Sequence, residues 1–248
     1  MIGRITDQPD GALHLRRPLL SCHAHPMTAT LLAFDTSAAH CTAALLAGGD
    51  LRVHRFEEMA KGQAERLFPL IEEVLAEAGL GYGELSAIAV GTGPGNFTGI
   101  RISVSAARGL ALALGRPAIG VSALEAAAFG TEGPVLAAVD ARRGKAYVEG
   151  FGTEAAIPAQ LREIAELPAG FAGASARCIG SGAQEVAARI GATVAPPAAP
   201  LAEAIARIAA DRLARDPAAC ARHRPAPLYL RAADAAPARD APPALLDP

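Results

Sequence analysis

Residues 30–34 (TLLAF) form a short apolar run that stops at Asp35-Thr36-Ser37; that length and boundary predict a buried strand. Residues 41–47 predict a second strand, Gly48-Gly49-Asp50 a hairpin turn, and residues 51–57 a third strand. The period then changes. Over residues 61–78 the apolar positions Ala64, Leu67, Phe68, Ile71, Val74, Leu75 and Ala78 recur at helical spacing, and Gly79 and Gly81 end the helix. A strand at 86–90, a glycine-rich loop, a helix at 98–114 and a strand at 118–121 follow. Ser122 is a suitable N-cap for a further helix.

The opening pattern then returns. VLAAV (135–139) ends at Asp140, turns around Gly144 and continues as a strand at 146–151. A unit of strand, Asp, turn and strand that occurs twice points to duplication. Beyond it the pattern predicts a helix at 159–167, a strand at 176–179 and helices at 184–190 and 201–215, with the Pro-rich residues 196–200 as a loop. The expected architecture is α/β, with two related subdomains, residues 28–133 and 134–231, around a cleft. An aspartate at the end of each first strand faces that cleft. This suits the duplicated actin/Hsp70/sugar-kinase (RNase H-like) class, in which paired acids organise Mg²⁺ and phosphates.

Residues 1–27 mix charge, Pro and His without periodicity and have no apolar signal-peptide core, so they predict a disordered extension with Met27 as the functional start. Residues 232–248, rich in Ala, Pro and Asp, predict a flexible tail.

Composition narrows the function. The formal net charge is −2, which gives no electrostatic footprint for nucleic acid over the whole chain. Cys22, Cys41, Cys178 and Cys220 are scattered without metal spacing, as in a protein that keeps its thiols reduced. The histidines outside the extension share no ligand spacing; His40 is expected in a hairpin turn. No apolar run reaches membrane-spanning length, so the expectation is a cytoplasmic protein with no membrane contact.

The loop VGTGPGNFTGIR (90–101) has the look of a nucleotide loop but lacks the Gly-Lys-Ser/Thr ending of a P-loop. Asn96 stands where a dinucleotide fingerprint needs its third glycine, and Pro94 has no N–H to give a phosphate. Two readings stay open: a structural turn that packs strand against helix, or a weak anion site at a helix start capped by Asn96 or Thr98. Asp35 and Asp140 likewise hold a Mg-nucleotide or cap turns. The candidate nucleotide or phosphate residues are Asp35, Thr36, Ser37, Gly93, Gly95, Asn96, Thr98 and Asp140. No catalytic residue and no metal ligand is expected.

Several strings occur in one order: Asp35-Thr36-Ser37, GQAERLFPLI, GTGPGNFTGIR, RGLALALGRPAIGVSALE, AAVDARRGKAYV and PLYLR. Together they resemble the TsaB (YeaZ) family, accessory subunits in forming N6-threonylcarbamoyladenosine at position 37 of tRNAs reading ANN codons, over residues 28–231. The resemblance implies a duplicated actin/Hsp70-like fold and a catalytic partner, TsaD, in a heterodimer. TsaE joins the larger complex, and tRNA is reached only through it. A homodimer through the same surface is expected when the chain is alone. The subunit itself needs no cofactor, although ATP or ADP at the partner junction is compatible. TsaD relatives carry two metal-binding histidines at positions matching Ala123 and Ala127, and a methyl group ligates nothing. Gln63 stands where relatives often have His.

The partner interface implied by the resemblance is a four-helix contact. Here it falls on Gln63, Leu67, Leu70, Ile71 and Val74 of the first helix, whose apolar arc is broad, and on the small residues Gly99, Ser103, Ala106 and Ala107 of the second. The competing function is a stand-alone ATPase or small-molecule kinase of the same fold. A peptidase reading finds no metal pair and no Ser/His/Asp set.

Overall fold

The computed structural model describes residues 29–153, 156–173 and 175–231. The expected extension 1–27, with Met27 and its histidines, and the tail 232–248 lie outside them. β1 (Thr30–Asp35) sends Leu31 and Ala33 into one core and Leu32 and Phe34 into another. Burial on both faces is why this strand reads as an unbroken apolar run. β2 (His40–Ala47) pairs antiparallel with β1, and β3 (Asp50–Glu58) with β2. α1 (Gln63–Ala78) crosses to β4 (Ala87–Gly91), parallel to β1 on its other side. α2 (Phe97–Leu114) leads to β5 (Ala118–Val121), parallel to β4. The sheet order is β3-β2-β1-β4-β5.

After α3 (Ala123–Ala128) the arrangement repeats. β6 (Val135–Asp140) pairs antiparallel with β7 (Lys145–Phe151), and β7 with β8 (Gln160–Glu163). β9 (Arg177–Ile179) lies parallel to β6; beyond α4 (Ala183–Ile190), β10 (Thr193–Val194) lies parallel to β9. Counted along the chain, the second sheet has the same strand order and directions as the first. That repetition is the duplicated actin/Hsp70-like α/β fold. α5 (Leu201–Arg215) and α6 (Pro217–Arg222) are the last helices among the described residues.

The helices are shared between the halves. α1 and α2 cover one face of the first sheet, with Leu67, Leu70, Ile71, Val74, Ile100 and Val104 against Leu32, Phe34, Ile88 and Val90. α5, expected with the second half, covers the other face of the first sheet; its Ala204, Ile205, Ile208 and Ala209 meet Leu31, Ala33 and Ala89. The alanines on this helix let its backbone approach the sheet closely. α3 makes the reciprocal move and lays Leu124 and Ala128 on Val135, Ala137 and Tyr147 of the second sheet. Where α3 and α5 meet, Arg212 Nη2 pairs with Glu125 Oε1 at 2.6 Å. Glu125 also closes a capping box with Ser122, the expected N-cap.

Three local expectations change. Residues 159–167 are not a helix: Gln160–Glu163 is β8, followed by a 3₁₀ turn at Ile164–Glu166. Leu161 there pairs with Tyr147 of β7, and a short mixed run has no period of its own to choose between helix and strand. β10 and α6 were not expected. Among the described residues α2 has the length and apolarity to cross a membrane by composition alone. Its Ile100, Val104 and Ala107 are buried in the core, and Arg101 and Arg108 are exposed.

Candidate functional site

The glycine loop closes over the turn that follows β1. Asp35, Thr36 and Ser37 are all buried, Asp35 at 0% exposure. Asp35 Oδ1 accepts from Ser37 N, Ser37 Oγ and His40 Nε2, each at 2.8 Å. Its Oδ2 has no partner. The loop packs so tightly on this turn that side chains would collide: a Cβ on Gly91 would lie 1.8 Å from Asp35 Oδ2, one on Gly95 2.2 Å from Ser37 O, and one on Gly99 1.9 Å from Thr36 O. Gly93 takes φ +83°, a left-handed conformation that glycine adopts without strain.

Hydrogen bonds fasten the contact. Asn96 N donates to Ser37 O at 2.6 Å, and Thr36 Oγ1 donates to Gly99 O at 2.7 Å. Asn96 Oδ1 caps α2 by accepting from Thr98 N and Gly99 N. Thr92 N donates to Val121 O, Gly93 O accepts from Ala123 N, and Thr92 O accepts from Leu228 N. The loop therefore joins β1, the β5–α3 junction and the C-terminal segment. The amides of Asn96, Thr98 and Gly99 are occupied by bonds within the chain, and Asp35 is sealed beneath Gly91.

Asp140 has the equivalent place on the second sheet and the opposite environment. It is exposed, and its Oδ1 accepts from Arg142 N at 2.7 Å, a turn-capping role. Its own N–H donates to Ser181 Oγ. The expectation that both acids face one central cleft is thus corrected: the first is buried under the loop, the second is at a surface turn. A cavity of about 530 Å³ does lie between the halves, lined by Thr92, Ser122, Glu125, Glu149, Arg212 and Leu228 among others, and its lining includes neither acid. His40, expected in a turn, begins β2 and is held by Asp35.

The expected partner residues are also largely internal. Leu67, Leu70, Ile71 and Val74 are fully buried in the core, as are Gly99, Ser103 and Ala107 on α2. Only Gln63 and Ala106 reach the surface in part. α1 must cover both the sheet and α2, and that double duty accounts for its broad apolar arc. The apolar side chains that do point outward include Phe68 of α1, at 43% exposure, and Leu112 of α2, at 80%.

Sequence reasoning missed an exposed cluster where α2 begins. Arg101 stacks on Phe97, 3.7 Å from the ring centroid, and its Nε donates to Tyr229 Oη at 2.8 Å. The Phe97 and Tyr229 rings are 5.2 Å apart. Nothing local announces a contact between residues separated by 128 positions, although both strings, GTGPGNFTGIR and PLYLR, stand out.

The family model described as TsaD, tRNA N6-adenosine threonylcarbamoyltransferase, matches residues 57–238. YeaZ from Pseudomonas aeruginosa superposes with a TM-score of 0.66 at 31% identity, covering 82% of this chain and 100% of that one. The chain belongs to the TsaB (YeaZ) family. The tRNA threonylcarbamoyladenosine biosynthesis protein TsaB of Haemophilus influenzae is 42% identical over 123 residues, 48% of this chain and 52% of that protein, so the match spans about half that relative's length. An uncharacterized Mycobacterium bovis protein, Mb3455c, is 36% identical over 212 residues, 84% of this chain and 94% of its own length. Against this TsaB background, α3 is the informative helix. It presents Ala123 and Ala127 where the TsaD resemblance places histidines, and among the described residues no three His, Cys, Asp or Glu side chains cluster as ligands.

Proposed function

We propose that this chain is the non-catalytic partner and activator of a TsaD-type tRNA N6-adenosine threonylcarbamoyltransferase acting on adenosine 37 of tRNAs that read ANN codons. The observation that carries this reading is the pair Ala123 and Ala127. The fold keeps the helix on which ligands would stand, with its capping box and its Arg212 tether, but supplies methyl groups. A chain that retains the scaffold and drops the ligands has lost the chemistry and kept a shape for a partner to bind.

The closed glycine loop supports the same reading over a stand-alone ATPase or kinase, because its amides serve Ser37 and Asn96. Any adenine nucleotide in the complex is then held at the junction with TsaD, and the subunit alone requires no cofactor. TsaE joins the assembled pair in the cytoplasm, and without TsaD the same surface pairs two copies of this chain. The test is reconstitution. Given TsaE and an activated threonylcarbamoyl donor, TsaD with this chain is expected to modify tRNA and TsaD without it is not, while this chain alone neither modifies tRNA nor turns over ATP. Turnover by the purified chain at an enzyme's rate overturns the proposal.

A further inference from the structure

The cluster at the start of α2 continues into a basic surface. Tyr229 is followed two residues later by Arg231, whose guanidinium donates to Ala141 O at 3.3 Å. That bond sets the C-terminal segment beside the β6–β7 turn, where Arg142 and Arg143 are both exposed. Both take left-handed φ values, 62° and 56°, next to Gly144 at 72°. Successive non-glycine residues there are uncommon, and the turn's hydrogen bonds, Arg142 N to Asp140 Oδ1 and Lys145 N to Arg142 O, use no arginine side chain. Strain at residues whose side chains the turn does not use points to a role outside the turn.

The patch therefore holds two exposed rings, Phe97 at 52% and Tyr229 at 46%, and four arginines, Arg101, Arg142, Arg143 and Arg231. Asp140 sits beside Arg142 with one oxygen committed to the turn, and Glu163, next to the same turn, is paired with Lys145. Half-exposed rings crossed by a guanidinium suit a flat π-face, and flanking arginines suit phosphates. A protein partner would cover rings of this kind with apolar side chains and leave four cations to be paired. A nucleobase in a polyanionic backbone satisfies both at once.

We infer that this surface binds RNA directly, stacking an unpaired nucleobase on Phe97 and Tyr229 while Arg142, Arg143 and Arg231 take the adjoining phosphates. The inference rests on the proposed role in tRNA modification, and it departs from the expectation that tRNA is reached only through the complex.

The test is fluorescence anisotropy of the full chain, alone and with TsaD, against a labelled RNA hairpin with an unpaired loop and against a fully paired duplex. The hairpin is expected to bind more tightly. Phe97→Ala and Tyr229→Ala should each weaken hairpin binding roughly tenfold with the salt dependence unchanged. Tyr229→Phe, which keeps the ring and loses the Arg101 bond, should retain most of the affinity. Arg142→Gly with Arg143→Gly relieves the backbone and keeps the fold, so it isolates charge: both RNAs should bind more weakly, with the slope of log affinity on log salt reduced by about 1 for each phosphate no longer neutralised. Variants that bind RNA as the wild type does, a wild type that does not prefer the hairpin, or ring variants that release TsaD while holding RNA would each overturn the inference. Co-purification with TsaD, measured on the same variants, separates the readings: RNA binding that is absent while TsaD is retained ends only this inference, and a wild-type chain that never binds TsaD ends the proposed function.

Discussion

Gly91 is the lid on Asp35: a methyl group added to the glycine would sit 1.8 Å from the carboxylate Oδ2. The acid can be fully buried only because the strand end beside it carries no side chain. Gly91→Ala must swing Asp35 away from Ser37 and His40 or push the loop outward, at a cost of about 1–3 kcal/mol. Gly99→Ala should cost more, since its methyl meets the backbone oxygen of Thr36, which cannot rotate aside. Gly109→Ala, in the same helix as Gly99 and with nothing within 4 Å, should stabilise by up to about 1 kcal/mol. Urea unfolding of the three variants checks the order, and equal stabilities would show that the loop is loosely seated.

Much of this was legible in the sequence, and for a physical reason. A doubly buried strand is an unbroken apolar run, so TLLAF and VLAAV could be found and their repetition noticed. The glycines of the loop were visible; their purpose was not. A glycine that admits a phosphate and one that admits a neighbouring carboxylate look alike until the neighbour is placed. Helical period likewise told which side of α1 is apolar but not what covers it. Leu70 widened the arc and suggested a docking face, while the large apolar side chain that reaches solvent is Phe68, one of the positions at helical spacing. The helix expected at 159–167 failed because a short edge strand takes its structure from the partner it pairs with.

Glu125 carries two loads. Its Oε2 accepts from Ser122 N at the start of α3, and its Oε1 holds Arg212 of α5, whose guanidinium also donates to Gly120 O. Glu125→Ala removes the side-chain half of the capping box and the tether together, leaves the Ser122 hydroxyl on the backbone N–H, and should cost about 1–3 kcal/mol. Arg212→Met should cost less, because the Glu125 bond to Ser122 N survives. If the pair is one unit, the double variant will be less unstable than the sum of the two, which a double-mutant cycle in denaturant reads directly.

Burial pushes the Cys41 thiol from an ordinary 9.0 to about 11, with Glu57 and Asp35 adding to the effect and Arg66 opposing it; burial does the same to Cys178. Below pH 9 both folded and unfolded chains keep these protons. As pH rises further the unfolded chain releases them first, so stability falls between about pH 9 and pH 11, by up to about 2–3 kcal/mol for each thiol. Cys41→Ala with Cys178→Ala lowers stability at neutral pH through poorer packing but should flatten the alkaline decline. An unchanged slope would show that other groups cause it.

The outer face of α1 and α2 supplies the sharpest separation between folding and partnership. Leu70 and Val74 are fully buried against Leu32 and Phe34, so Leu70→Glu places an unpaired carboxylate in the core. Such a change costs about 4 kcal/mol or more and should unfold the chain, so weak binding by that variant says nothing about an interface. Phe68 stands at the edge of the buried arc of the same helix, 43% exposed, and Leu112 near the end of α2 is more exposed still. Phe68→Glu should leave stability within about 0.5 kcal/mol of the wild type. If TsaD docks across these two helices, the exposed ring is the anchor that such an interface needs, and its removal should weaken association by about 2 kcal/mol, roughly thirtyfold. Leu112→Glu should act in the same direction. The measurement is titration of TsaD into folded variants, with thermal melts beside it. A Phe68→Glu, Leu112→Glu chain that melts like the wild type and binds TsaD with undiminished affinity would place the partner on another face.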